Sequence, residues 1–238
     1  MKFENTLIPA TLLKRYKRFL ADVTLENGDV VTAHCANSGS MMGLKDEDNK
    51  VWLSPATNPK AKLPYKWEMV RIPSGALVGI NTSHPNRIVA EAIANKEIPG
   101  LDQYDSLRRE VKYGTNSRID ILLENNSDSS QDSKCYVEVK NVTLSREPGY
   151  AEFPDAVTAR GTKHLQELTH MVHEGHRAVM FYLVQRDDCS QFRIANDIDP
   201  AYDSALKVAV EEGVEIICYA CRLSPTEIEL DRPLPIML

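Results

Sequence analysis

The sequence predicts two successive folds: a small closed β-barrel over residues 1–80, and an α/β domain with a mixed central sheet over residues 81–238. Three observations support this fold class. Asn27-Gly28 separates two short alternating segments, as is typical of a β-hairpin. Between Gly79 and Ser83, short strand patterns give way to helical spacing. Residues 178–184 are continuously apolar, as expected for a strand that is buried on both faces.

The predicted barrel consists of short strands. Residues 18–25 alternate apolar and polar positions, and residues 30–36 form the returning strand of the hairpin. Further strands are expected at residues 51–53, 66–72 and 76–79. Several short strands without a long helical pattern favour a small closed barrel.

The second domain alternates helices and strands. A helix opens at Pro85-Asn86 and extends to residue 96. The elements that follow are strands at 104–112, 118–123 and 135–140, a polar exposed loop at 125–133, a helix at about 156–174, a strand at 178–184, a helix at 201–212 and a strand at 214–219. This order predicts a mixed sheet with helices on both faces.

The composition excludes several classes of protein. The chain has 238 residues, 42% hydrophobic and 26% charged, which excludes a disordered protein. No segment approaches the roughly 18 apolar residues of a membrane span, and the first residues lack the apolar region of a secretion signal. Five scattered Cys indicate reduced thiols. We therefore expect a cytoplasmic protein with no membrane partner; its oligomeric state stays open, and a dimer is possible.

The charge distribution bears on a nucleic-acid partner. The net charge of −6 argues against one when taken globally, yet residues 1–80 contain 11 Lys and Arg against eight Asp and Glu. Four cations and an aromatic ring occupy five successive positions: Lys14, Arg15, Tyr16, Lys17 and Arg18. This composition suits phosphate contacts and base stacking. The alternative is a solvated segment that precedes the first strand.

Three charged residues interrupt otherwise apolar strands. Asp120 lies within Ile119–Leu123, and Glu138 and Lys140 share one face of a strand because residues two apart point the same way. If these strands pair, two carboxylates and an ammonium converge. Carboxylates suit Mg²⁺, with Mn²⁺ as a substitute, and a neighbouring lysine suits the attacking water of phosphodiester hydrolysis. The alternative is a same-face ion pair on a solvated edge strand.

Further residues extend this candidate site. We predict metal contacts from Glu91, Asp120, Glu138 and Val139, and catalytic roles for Asp120, Glu138 and Lys140. Arg160 and Lys163, three apart on a helix, are predicted to contact phosphates, although they are equally consistent with ordinary surface cations. Cys218 and Cys221 lack a second pair for zinc, and His170, His173 and His176 favour surface roles over a metal site.

The chain contains four longer motifs: Asn81-Thr82-x-x-Pro85-Asn86, Lys112-Tyr113-Gly114-x-Asn116-Ser117-Arg118-Ile119-Asp120, Val137-Glu138-Val139-Lys140-Asn141-Val142-Thr143-Leu144 and Phe153-Pro154-Asp155-Ala156-Val157-Thr158-x-Arg160-Gly161-x-Lys163-His164-Leu165-x-Glu167-Leu168. Together they resemble the bacterial sugar fermentation stimulation protein A family. The resemblance covers nearly the whole chain. Asp120, Glu138 and Lys140 also resemble the core of the PD-(D/E)-x-K nuclease superfamily, although Ile119 stands where that pattern has proline.

The resemblance implies an N-terminal OB-like barrel, a nuclease-like α/β domain, non-specific DNA binding and a regulatory part in maltose metabolism. It leaves two principal hypotheses. One is a DNA-binding protein whose barrel holds DNA without base readout. The other is a Mg²⁺-dependent nuclease that acts through Asp120, Glu138 and Lys140. A transcriptional regulator with a defined operator is a weaker third, because the sequence has no helix-turn-helix pattern.

Overall fold

The computed structural model describes residues 1–58, 60–114, 117–125 and 134–238. The loop predicted at residues 125–133 therefore lies outside the described residues, apart from Asn125. In the first part of the chain, the described strands are β1 (Ile8–Tyr16), β2 (Leu20–Leu25), β3 (Val30–Cys35), β4 (Lys50–Pro55), β5 (Tyr65–Arg71) and β6 (Leu77–Gly79).

These strands close into a barrel. Their order is β3-β2-β1-β4-β5-β6, and an additional parallel pairing of β3 with β5 completes a ring of five strands. The predicted hairpin is confirmed: β2 and β3 are antiparallel, and Gly28 in their turn has a φ of 90°, which favours glycine. The barrel core is apolar and includes Leu12, Val23, Leu53 and Trp67.

Strand β1 is the main barrel element that the sequence patterns missed. Its inward positions Ala10 and Leu12 alternate as expected, but a register shift between Leu12 and Lys14 interrupts the pattern. A bulge of this kind breaks the period of two by which strands are recognised. The alternative that residues 14–18 form a solvated segment before the first strand is therefore wrong, since residues 14–16 end β1 and residues 17 and 18 form its turn into β2.

The second part of the chain contains all three helices of the described residues. Its elements are α1 (Pro85–Ala94), β7 (Ser106–Tyr113), β8 (Ser117–Glu124), β9 (Cys135–Val142), β10 (Tyr150–Phe153), α2 (Ala159–His173), β11 (Arg177–Val184), β12 (Gln191–Ile194), α3 (Pro200–Glu211), β13 (Glu215–Leu223), β14 (Ile228–Pro233) and β15 (Ile236–Met237).

Local chemistry fixes where the helices begin. Pro85 occupies the first turn of α1, where its missing N–H costs no helical hydrogen bond. Thr158 caps α2 by accepting a hydrogen bond from the Gly161 amide. Asp199 caps α3 by accepting one from Tyr202. These caps satisfy amide donors that the first turn of a helix leaves free.

The main sheet of this part is mixed, as predicted. Its order is β14-β13-β11-β9-β8-β7, in which β11 pairs in parallel with β9 and β13 while the outer pairs are antiparallel. Val179 and Phe181 pack on the side of α1, whereas Met180 and Tyr182 pack on the side of α2 and α3. The continuously apolar strand is therefore buried on both faces.

Three short strands form a separate small sheet, in the order β10-β12-β15. The sequence patterns did not predict these strands, or β14. Strands of two to four residues carry too few alternations to be distinguished from loops.

The barrel and the mixed sheet share a hydrophobic core. Trp52, Met69 and Leu77 of the barrel belong to the same buried cluster as Ile88 of α1 and Phe181 of β11. The amino-terminal segment also crosses over, since the Phe3 amide donates to the carbonyl of Thr226. The two parts therefore present a continuous surface on which side chains from both can act together.

In the described residues, no helix is both long and apolar enough to cross a membrane. All five cysteines are free and buried. Cys218 packs on the α2 side of the main sheet and Cys221 packs in the cluster on the α1 side. The C-x-x-C spacing therefore does not place two thiols together.

Candidate metal centre and nucleic-acid surface

Pairing of β8 with β9 brings Asp120 and Glu138 together. The antiparallel register joins Leu123 to Cys135 and Ile121 to Val137, so that Asp120 and Glu138 are the next residues along the two strands. Asp120 Oδ2 accepts a hydrogen bond of 2.8 Å from the Val139 amide. The carboxylate thus continues the hydrogen-bonding between the strands beyond the end of their ladder.

Helix α1 supports Asp120 from its first turn. The side-chain amide of Asn86 donates a hydrogen bond of 2.7 Å to Asp120 Oδ1. Each oxygen of Asp120 thereby has one donor and retains lone-pair capacity for another partner. The carboxylate is held in one orientation without being saturated.

Glu138 is buried and receives two donors on the same oxygen. Lys140 Nζ lies 2.8 Å from Glu138 Oε1, and His164 Nδ1 contacts the same oxygen atom. The side chain of Glu138 is only 3% exposed and that of Lys140 is 13% exposed. A buried charge needs such partners, because burial without them costs several kcal/mol. The edge-strand ion pair that the spacing left open does not describe this site.

The hydrogen bonds of His164 define its tautomer. Arg160 Nε donates to His164 Nε2 over 3.2 Å, so Nε2 is the acceptor and Nδ1 carries the proton directed at Glu138. Lys140 Nζ lies 3.2 Å from the same Nδ1, where both groups approach one carboxylate oxygen. Arg160, His164, Glu138 and Lys140 therefore form one connected network.

The two carboxylates have opposite pKa shifts. Burial, and then the negative charge of Glu138, raise the pKa of Asp120 to about 6, despite the hydrogen bond from the Val139 amide. Burial would also raise the pKa of Glu138, but the hydrogen bond from His164 and the charge of Lys140 outweigh it and hold that pKa below its usual value. Neighbouring carboxylates whose pKa values are shifted in opposite directions are common at functional sites.

Buried polar atoms without a hydrogen-bond partner surround this pair. Within the described part of the chain they include Glu138 Oε2, the hydroxyl of Tyr113 and both carboxylate oxygens of Glu167. Lys163 Nζ is 3.5 Å from Glu167 Oε1. Burial, and then the charges of Glu138, Glu167 and Asp120, raise the pKa of Tyr113 and keep its hydroxyl protonated. Buried polar atoms of this kind are rare in native proteins and call for a partner such as water or an ion.

The sequence patterns predict no role for four further residues at the site: Asn86, Tyr113, His164 and Glu167. Each reaches the site from α1, β7 or α2, and their convergence depends on how these elements pack against β8 and β9. One signal was available in the sequence: His164 and Glu167 lie on the face of α2 that carries Leu165 and Leu168. Polar side chains beside the buried stripe of a helix need partners.

Glu91 was predicted as a metal ligand, but the structure does not bring it to Asp120 and Glu138. Its carboxylate oxygens bind Arg87 Nε at 2.7 Å and the amino group of Met1 at 3.1 Å. Val139, also predicted, has its side chain in the core and its amide on Asp120. Only its backbone carbonyl is suited to a cation. The metal site proposed below accordingly excludes Glu91.

The residues at this site fit a hard divalent cation. Asp120 retains free lone pairs, and Glu138 Oε2 is buried and accepts no hydrogen bond from the residues that the structure describes. Mg²⁺ typically takes one or two carboxylates and completes its shell with water and substrate oxygens. No three His, Cys, Asp or Glu side chains already converge as a metal site in the described residues. The fit therefore depends on the Asp120–Glu138 pair and on water.

The basic run, residues 14–18, contains both side chains that make structural contacts and side chains that are exposed. Arg15 Nη2 donates to the carbonyls of Asn37 and Gly39, and its Nε donates to the carbonyl of Arg18. Tyr16 donates to Asp22, and Lys14 lies 3.6 Å from that carboxylate. Lys17 and Arg18 are exposed in the turn between β1 and β2.

Arg160 and Lys163 lie in the first turns of α2, on exposed positions beside the carboxylate pair. Their predicted phosphate contacts stay predictions. His170 and His173 pair with Glu174 and Glu212 on the surface, at 3.1 Å and 2.8 Å.

Comparison with known proteins identifies the class of each part of the chain. Residues 13–80 match the model described as the SfsA N-terminal OB domain. Residues 83–227 match that of the sugar fermentation stimulation protein RE domain. The molecule is thus an OB-fold barrel followed by an RE-type α/β domain. The chain belongs to the sugar fermentation stimulation protein family.

Relatives extend this similarity over the whole chain. A sugar fermentation stimulation protein homolog of Paramagnetospirillum magneticum is 58% identical over 98% of this chain and 97% of its own length. One of Rhodospirillum centenum is 59% identical over 98% of both chains. Among solved structures, Pyrococcus furiosus SfsA in complex with Ca²⁺ superimposes with a TM-score of 0.87 and 26% identity, covering 100% of this chain and 98% of that one.

Proposed function

We propose that this protein is a divalent-cation-dependent nuclease that holds nucleic acid without base readout. The observation that carries the proposal is the convergence of Asp120 and Glu138. Lys140 and His164 share one oxygen of Glu138, whereas its buried Oε2 has no donor among the described residues. Two acceptors beside an ammonium provide the ligands and the charge that phosphodiester hydrolysis requires.

The metal would be held by the Asp120 carboxylate and Glu138 Oε2. Bound Mg²⁺ or Mn²⁺ would supply Lewis acidity toward the phosphate and an activated water. The ion pair with Glu138 positions Lys140, whose ammonium can stabilise negative charge on the phosphate. His164 and Arg160 fix the orientation of Glu138 from the opposite side. The related Pyrococcus furiosus protein in complex with Ca²⁺ supports a divalent cation in this family.

The remaining polar atoms extend the site toward α2. Glu167 has two buried oxygens without a hydrogen-bond donor in the described residues, and Lys163 Nζ lies 3.5 Å from one of them, Oε1. We include Glu167 as a residue that binds a water of the metal site. The exposed Arg160 and Lys163 at the start of the same helix are suited to the substrate phosphates.

The barrel supplies the nucleic-acid grip in this proposal. Lys17 and Arg18 expose two cations in one turn, and Lys14 adds a third at the end of β1. Contacts of this kind bind phosphates and carry no sequence information. DNA binding by this surface should therefore be non-specific and strongly dependent on salt.

A second candidate function is DNA binding without cleavage. It is favoured by the engagement of Lys140, which is bound to Glu138, together with the lack of a three-ligand cluster in the described residues. In this case the nuclease-like domain would contribute binding surface alone. The relatives are named for the stimulation of sugar fermentation. For this candidate we propose the regulatory part in maltose metabolism that the family resemblance implies.

A cleavage assay separates the two candidates. Wild-type protein and Asp120→Ala would be incubated with single-stranded, duplex and flap DNA and with RNA, each with Mg²⁺ or Mn²⁺. We expect metal-dependent cleavage by the wild type and none by the variant, while both bind DNA. Binding without cleavage of any substrate would leave the second candidate.

The free, buried cysteines fit the cytoplasmic location that we propose.

A further inference from the structure

An exposed aromatic pair lies on the barrel, outside the site described above. Phe19 is 45% exposed, and its ring stacks on that of His34 with the centroids 6.4 Å apart and the planes inclined by 24°. Single exposed apolar residues are ordinary on protein surfaces. A stacked pair is different, because it presents a flat aromatic face on which another ring can continue the stack.

The position of Phe19 is fixed by its backbone neighbours. The Phe19 carbonyl accepts a hydrogen bond of 2.9 Å from the Cys35 amide, which ties it to β3. The preceding residues Lys17 and Arg18 have φ angles of 46° and 67°, and Arg15 holds the carbonyl of Arg18. A turn held in this way loses little conformational entropy when a ligand binds.

Cations border the aromatic pair on two sides. Lys17 and Arg18 are exposed immediately before Phe19. Lys66 of β5 is the direct neighbour of His34 across the parallel β3–β5 pairing. The nearby carboxylate of Asp22 is engaged by Tyr16, Thr32 and Lys14. The charge around the rings therefore suits a polyanion.

A chain of contacts connects this surface to the candidate metal centre. Glu68 lies at a bulge of β5, two residues after Lys66, and both residues line one cavity with His84. Glu68 Oε2 is 2.7 Å from His84 Nε2 at the start of α1. Two residues further, Asn86 donates to Asp120. A strand bound along this side of the barrel would thus approach the carboxylate pair.

We infer that the Phe19–His34 pair is a stacking site for a base of single-stranded nucleic acid, with Lys17, Arg18 and Lys66 contacting its phosphates. This inference rests on the proposed function and specifies its substrate class. A duplex buries its base faces in its own stack, so only an unpaired base can extend the Phe19–His34 stack. OB folds generally bind oligonucleotides on the face of strands 2 and 3 and on the adjoining loop.

The test is equilibrium binding by fluorescence anisotropy. The full-length protein is titrated, in EDTA to prevent cleavage, against a labelled mixed-sequence 20-nucleotide strand and against its duplex. Base–aromatic stacking is worth about 1–3 kcal/mol, so Phe19→Ala should weaken binding of the single strand by roughly 5- to 140-fold. Duplex affinity should change less than about twofold. Phe19→Tyr should retain single-strand affinity, and Val30→Ala, at a 64% exposed apolar position of the same hairpin, serves as the control.

The binding measurements test the stacking site independently of nuclease activity. Unchanged single-strand binding by Phe19→Ala, or equal losses for single strand and duplex, would overturn the stacking site even if metal-dependent cleavage is present. The expected selective loss would support it even if no cleavage is found. An equal defect in Phe19→Tyr and Phe19→Ala would also overturn it, because the ring would then have no role. Thermal melting of each variant verifies that the barrel is folded.

Discussion

At the scale of single residues, the asymmetry of Glu138 is the feature on which the site depends. One of its oxygens receives both Lys140 and His164, and the other receives no donor in the described residues. Uneven partnering of a buried carboxylate leaves one oxygen available to a cation while the other fixes the geometry. Asp120 complements it with two single hydrogen bonds and a raised pKa.

Because the pKa of Asp120 is raised, replacing its charged side chain with a neutral one should stabilise the folded protein. Folded Asp120 keeps its proton up to about pH 6, whereas the unfolded chain releases it near 3.8. Ionisation of Asp120 therefore lowers the free energy of unfolding progressively as pH rises from about 4 to 6. The full destabilisation by this charge is present at neutral pH. In EDTA, Asp120→Asn should raise the free energy of unfolding by about 1–3 kcal/mol at pH 7.5.

Urea denaturation at several pH values measures this effect. The difference between Asp120→Asn and wild type should shrink as pH falls toward 4, because the wild-type carboxyl becomes neutral. The Asn86 amide can rotate to accept from the new side chain, so the neighbouring contacts are preserved. A variant that is less stable than wild type at pH 7.5 would show that the Asp120 charge does not strain the fold.

At the scale of elements, the turn between β1 and β2 separates structural from exposed cations. Arg15 donates to three backbone carbonyls, which join the turn to residues 37 and 39. Arg18 is exposed and takes part through its backbone carbonyl. Two arginines of one basic run therefore have different functions, and a test that changes both together would confuse them.

This difference predicts unequal effects on stability. Hydrogen bonds from charged donors contribute roughly 1.5–3 kcal/mol, so Arg15→Ala should lower the free energy of unfolding by about 1–3 kcal/mol. Arg18→Ala should change it by less than about 0.5 kcal/mol while weakening binding to every DNA sequence. Urea melts of the two variants provide the comparison. Equal stabilities would contradict the structural role of Arg15.

Some elements of the fold and site could be predicted from the sequence, and others could not. Asn27-Gly28 and the alternation around it predicted β2 and β3, because a two-residue turn sets the register of its strands. Charged residues in apolar strands likewise identified Asp120, Glu138 and Lys140. Strand β1 was missed because its bulge breaks the alternation. His164 and Glu167 were missed because α2 reaches the site through tertiary packing, which no local pattern encodes.

At the scale of the whole molecule, barrel and mixed sheet share one core. Trp52, Met69 and Leu77 pack with residues of α1 and the main sheet, so neither part can bury its surface alone. The charges, in contrast to the core, are distributed unevenly between the two parts. Residues 1–80 contain more cations than carboxylates, and the remaining residues contain more carboxylates than cations. Divalent cations at Asp120 and Glu138 would locally reverse that acidity and favour phosphate binding.

The shared core predicts a single cooperative unfolding transition. Both tryptophans, Trp52 and Trp67, lie in the barrel, whereas the helices of the described residues all lie in the second part. Tryptophan fluorescence and helical circular dichroism therefore report on different parts of the molecule. Their urea midpoints should coincide. Two separate midpoints would show that barrel and mixed sheet unfold independently.

We propose that Asp120 and Glu138 together form a divalent-cation site. Calorimetric titration of the metal-free protein with Mn²⁺ tests it most directly, with Asp120→Ala and Glu138→Gln as site variants and Glu91→Gln as the matched control. We predict that the wild type and Glu91→Gln bind Mn²⁺, and that both site variants lose this binding. Retention of binding by the site variants, or its loss in Glu91→Gln alone, would contradict the claim.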